Sequence, residues 1–116
     1  MRFHANYVST SVSGDYYQAM FEASEDSAEP DSPYLIIQRQ FEMPDGGKCY
    51  IETHNEEYIG HFRVRRIDFR PDGISIEISR SRNNVIDVTF SMMTSAFEEA
   101  VPVLKIISGE IEPPCS

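Results

Sequence analysis

Apolar and polar residues alternate with a period of two over most of this chain, and only the last element changes to a helical period. Phe3 to Val12 alternates loosely and ends at Ser13-Gly14-Asp15, after which Tyr16 to Ala23 resumes the pattern, so a hairpin is expected. Tyr34 to Phe41 places Leu35, Ile37 and Phe41 on one face and Tyr34 and Ile36 on the other, as in a central strand covered on both sides. The turn signal Pro44-Asp45-Gly46-Gly47 precedes a short strand at Cys49-Tyr50-Ile51-Glu52-Thr53.

Tyr58, Phe62 and Val64 then share one parity while Ile67 and Phe69 take the other, which marks a β-bulge near Arg65-Arg66. Pro71-Asp72-Gly73 predicts a tight hairpin turn, with a positive φ expected at the glycine. Ile74, Ile76 and Ile78, then Ile86, Val88 and Phe90, form two half-buried strands separated by a turn at Ser81 to Asn84. Phe97, Ala100, Val101, Leu104 and Ile107 recur at helical spacing. Ser95-Ala96-Phe97-Glu98 reads as a capping box, Gly109 as a stop, and Pro102 as a source of a kink.

These elements predict an α+β domain: an antiparallel, twisted sheet of about six or seven strands with one C-terminal helix packed on one face through Phe97, Val101 and Leu104. At 116 residues the chain has the size of one compact domain spanning 1–116, with no internal repeat or linker. A tail at 110–116 is expected to fray. Two cysteines, Cys49 and Cys115, make neither a disulfide scaffold nor a zinc spacing. No stretch approaches the ~20 apolar residues of a membrane span, and the start MRFHANYVSTS lacks a signal peptide's apolar centre, so a cytoplasmic location and no membrane partner are expected.

Charge sharpens the choice of partner. Nineteen acids against ten bases give a net charge of -9, which disfavours nucleic acid and suits a basic protein. The segment SEDSAEPDSP, 24–33, is loop chemistry, and its Glu25, Asp26, Glu29 and Asp31 have no neighbouring base in sequence. Glu52, Glu56 and Glu57 extend this acidic patch if the fold brings them together. Six of the ten bases fall in 63–82 (Arg63, Arg65, Arg66, Arg70, Arg80 and Arg82), where pairing with acids of adjacent strands is the simpler expectation.

Arg39, within Gln38-Arg39-Gln40, has two readings. It pairs with Glu42 or Glu52 at the sheet rim, or it anchors an interface.

Chemistry-bearing motifs are missing: there is no GxSxG, phosphate loop, HExxH or dinucleotide fingerprint. His4, His54 and His61 with Glu52 or Glu57 form the only arguable metal or acid-base set, and Cys49 with His54 or His61 the only arguable nucleophile pair. Neither is ordered in sequence, so no catalytic residue, metal site or cofactor is assigned.

Taken together, Tyr34-Leu35-Ile36-Ile37-Gln38-Arg39-Gln40-Phe41-Glu42, Tyr50-Ile51-Glu52, a strand carrying Tyr58 and Gly60, the strand Ile74 to Ile78, Val85-Ile86-Asp87-Val88-Thr89-Phe90 and a C-terminal helix make the chain resemble the immunity protein 10 family of bacterial polymorphic-toxin systems. The resemblance implies a protein that binds a cognate protein toxin and blocks it without catalysis. A basic nuclease is one toxin class that the charge would suit. The alternative is a small adaptor or regulatory binding domain, and the oligomeric state is open.

Overall fold

The computed structural model describes residues 1–24, 32–42 and 46–111. Eight strands and one helix follow each other as β1 (Arg2–His4), β2 (Tyr7–Ser13), β3 (Tyr16–Glu22), β4 (Tyr34–Gln40), β5 (Lys48–Thr53), β6 (Gly60–Arg70), β7 (Gly73–Ile78), β8 (Val85–Thr89) and α1 (Thr94–Ser108). A single 3-10 turn at Glu56–Tyr58 links β5 to β6.

One sheet holds all eight strands in the order β1-β8-β7-β6-β5-β4-β3-β2. Every pairing is antiparallel except that of β1 with β8. The stretch expected to form one strand from Phe3 to Val12 is therefore two strands, at opposite ends of the sheet. Consecutive residues make the break: the Ala5 N–H donates to Thr89 O at 2.8 Å and the Asn6 N–H donates to Glu22 O at 2.9 Å. Because adjacent Cα atoms are only about 3.8 Å apart, the sheet must curl until its two ends meet at this corner.

Its concave side is the core. Phe21, Leu35, Ile37, Ile51, Ile74, Ile76 and Ile86 are wholly buried there and join one hydrophobic cluster with Leu104 and Ile107 of α1. Rings join these parts: Phe97 of α1 stacks on Phe69 of β6 with centroids 4.9 Å apart, and Phe90, just past β8, stacks on Phe21 of β3 at 5.5 Å. The curl depends on β6, the longest strand, which pairs with β5 through its first residues and with β7 through the rest. Its register shifts between Val64 and Arg66, the bulge expected from the change of parity, and this bends the strand and returns Ile67 and Phe69 to the core side.

Three local expectations are corrected by packing. The helix begins at Thr94, with Met93 rather than Ser95 as N-cap and no side-chain capping bond, and its first turn docks Phe97 on Phe69. Gly73 does not take a positive φ. An added Cβ there would instead lie 2.9 Å from the Val88 carbonyl oxygen, so glycine is needed for close approach of β7 to β8. Finally, β4 is covered on one face only: Leu35 and Ile37 are buried, whereas Tyr34 and Ile36 are half-buried on the convex side.

The helix stop is as expected. Gly109 adopts φ 83°, its N–H donates to Ile106 O, and the Glu110 N–H donates to Lys105 O, a Schellman pairing. No helix among the described residues is long and apolar enough to cross a membrane.

Candidate functional site

The convex face divides into two halves of different chemistry, and strand parity dictates which residues it shows. On β6, β7, β8 and β1 most outward positions are charged or small, with Val85 the exposed apolar exception: Ser75 donates to Asp87, Arg2 lies 3.7 Å from Asp87, and Arg70 pairs with Asp68 at 2.5 Å and Asp72 at 3.5 Å. On β2, β3 and β4 the outward positions are Tyr7, Ser9, Ser11 and Ser13, then Tyr16, Gln18, Met20 and Glu22, then Tyr34, Ile36, Gln38 and Gln40. Glu22 is the single charge in that set.

Cross-strand register aligns these residues in rows. Ser11, Gln18, Gln38, Tyr50 and His61 succeed one another from β2 to β6, with the Tyr50 and His61 rings 5.2 Å apart. A depression of about 180 Å³ opens where Tyr16, the run Gln38-Arg39-Gln40, Lys48, Tyr50 and His61 converge. Tyr7 and Tyr16 are each more than two-fifths exposed. No other described element lies over this surface, since α1 packs on the concave side.

One carboxylate, near the end of β5, ties β4 to β5 on this face. Glu52 accepts from the Tyr34 hydroxyl at 2.9 Å and from the Tyr50 hydroxyl at 2.8 Å. Burial, with the Glu52 bond and charge added, pushes the Tyr34 hydroxyl up to about 12. The Glu52 hydrogen bond raises Tyr50 above its ordinary value as well. Both tyrosines therefore stay protonated, and the pair of bonds fixes two aromatic side chains on a surface where most would rotate freely.

Arg39 turns the other way. It shares parity with Leu35 and Ile37, so it lies on the opposite face of the sheet from Glu52, and the expected pairing with that carboxylate is excluded. Its Nη1 donates to Ile107 O at 3.3 Å, and its guanidinium sits 4.9 Å from the Phe41 ring centroid. The positive charge thus meets the carbonyl end of α1, where the helix dipole favours it. Cys49 Sγ, buried beside it, points at the same carbonyl at 3.5 Å.

Glu56 and Glu57 belong to the 3-10 turn past the end of β5, close in sequence to Glu52 and at the end of the sheet where β3 finishes and β4 begins. Glu57 is engaged: Asn83 Nδ2 donates to its carboxylate at 2.9 Å, and Arg80 donates to its backbone carbonyl at 2.9 Å. Arg80 also stacks over Tyr58 and Phe62, so this arginine serves backbone and rings, and Arg70 pairs within its own hairpin; neither bridges to an acid of an adjacent strand as expected. Glu25, Asp26, Glu29 and Asp31 lie outside the described residues.

The three histidines are not brought together: His4 bonds Thr89 on β8, His54 sits between Phe3 and Tyr34, and His61 faces Tyr50. Among the described residues no group of three or more His, Cys, Asp or Glu side chains could hold a metal ion. Gln38 and Gln40 stand out in sequence beside Arg39, but the tyrosines and Gln18 were missed, although the outward half of each alternation carries their signal: Tyr, Gln and Ser stand where a merely solvated strand would show Lys and Glu.

Neither a scan against protein-family models nor a search of curated proteins returns a match to this chain.

Proposed function

We propose that this protein is an immunity protein, which binds a cognate bacterial protein toxin and neutralises it by occlusion, without catalysis. The observation that carries the reading is the division of the convex face. One half is laced with charge pairs, and the other presents tyrosine, glutamine and serine, with Glu22 the single charge among the outward positions of β2, β3 and β4 and a shallow depression bordered by Lys48. That composition is typical of protein-binding surfaces, because tyrosine supplies large amphipathic contact area at low entropic cost and amides supply adaptable hydrogen bonds. Tyr50, half-buried beside the depression and fixed by Glu52, is the natural anchor. The net charge of -9 supplies attraction for a basic toxin, and Glu52, Glu56 and Glu57 at one end of the face give it a direction.

The test is capture of partners from lysate of the protein's own cells by the tagged wild type and by Gln38→Ala with Tyr50→Ala. The expected result is one stoichiometric partner that arrests growth when expressed alone and is lost from the double variant. A stoichiometric partner that is harmless when expressed alone would make the protein an adaptor instead.

A further inference from the structure

The two ends of the sheet are not equally protected. β1 is three residues long and carries Arg2 and His4 on its flanks, two features that discourage another strand from adding to an edge. β2 has neither. Its seven residues, Tyr-Val-Ser-Thr-Ser-Val-Ser, contain no charge, proline or glycine, and among the described residues β3 is the one strand that pairs with it.

Ladder geometry shows what this edge offers. Ser13 and Tyr16 flank a two-residue turn at Gly14-Asp15, so they exchange hydrogen bonds, and the exchange recurs at Ser11, Ser9 and Tyr7. The backbone N–H and C=O groups of Val8, Thr10 and Val12 therefore point away from β3. Val12 is 53% exposed, although it shares parity with the half-buried Val8.

Residues 8–12 read Val-Ser-Thr-Ser-Val, the same in both directions. In a two-fold, antiparallel pairing centred on Thr10, Val8 meets Val12 of the second copy, Ser9 meets Ser11, and Thr10 meets Thr10. Each position meets its own kind, a matched set of cross-strand pairs. The register also brings outward-pointing backbone groups onto outward-pointing ones, for roughly six hydrogen bonds. Two copies of a chain with net charge -9 repel, and residues 5–14 form a charge-free stretch through which they can approach.

We infer that β2 is a self-association edge, through which two copies of this chain join their sheets around Thr10. This goes beyond the toxin-binding reading and uses the rim of the sheet rather than its Tyr50 depression.

Sedimentation equilibrium over a range of protein concentrations tests it. Wild type is expected to move from 13.3 kDa toward twice that mass as concentration rises. Ser9→Lys with Ser11→Lys places two like-charged pairs across the two-fold and should weaken the dimer about tenfold or more. Ser9→Glu with Ser11→Glu should do the same, and mixing the two double variants should restore the dimer, which also reports that both are folded. A wild type that stays monomeric throughout, or a dimer unaffected by either double variant, overturns the inference. So does a monomeric wild type whose lysine variant loses a captured protein partner, because the edge would then serve a foreign strand.

Discussion

Tyr34, Tyr50 and Glu52 show how a few hydrogen bonds prepare a surface. With its hydroxyl raised from 10.0 to about 12, Tyr34 keeps its proton more firmly when folded than when unfolded. The stability that this contributes is fully present below pH 10.0 and is lost as pH rises toward about 12. Glu52→Gln removes the shared acceptor charge and should bring both tyrosines down toward the ordinary value, read as an earlier rise of tyrosinate absorbance in an alkaline titration. Arg39 has a different office. Arg39→Met keeps much of the aliphatic packing but removes the donor from the end of α1, and should lower unfolding free energy by about 1–2 kcal/mol, measured by urea denaturation. The parity that Arg39 shares with Leu35 and Ile37 was the signal for the core side, but the expectation set it at the rim with Glu42 or Glu52, and nothing in sequence says which carbonyl it meets, since Ile107 lies 68 residues away.

Elements were legible where the pattern is local. The β6 bulge follows from a change of parity at Arg65-Arg66, and the helix end follows from Gly109. The start of the helix and the split of the first strand were not legible, because each is decided by long-range contacts. Phe97 finds Phe69, while Ala5 and Asn6 bond to opposite ends of the sheet. Gly73 makes the same point: its sequence context suggests turn chemistry, but its real constraint is the Val88 carbonyl. Gly73→Ala should destabilise by about 1–3 kcal/mol, since backbone rather than a flexible side chain must yield, and thermal unfolding would register the loss.

Across the whole molecule, curling the sheet around α1 puts nearly all the large apolar side chains on one side and leaves the other free to differentiate. The eight strands were partly visible as alternating segments, but their order was not, so the sequence did not reveal that Ser11, Gln18, Gln38, Tyr50 and His61 form one row. The acidic residues at Glu52, Glu56 and Glu57 were visible, and what they border was not. With a net charge of -9, association with a basic partner should slow as salt is raised from about 0.01 M to 0.15 M, over which the screening length shortens from about 30 Å to 8 Å. Stopped-flow association rates would show this directly, and a salt-independent rate would remove steering from the account.

The central claim is that the tyrosine and glutamine half of the convex face, not the charge-paired half, binds the partner. The affinity of the captured partner should be measured for Tyr50→Ala and for Glu77→Gln, the latter an outward residue of β7 on the other half. The account expects Tyr50→Ala to weaken binding by about 2 kcal/mol, roughly thirtyfold, with Glu77→Gln unchanged. Full affinity in Tyr50→Ala with a loss in Glu77→Gln would contradict it.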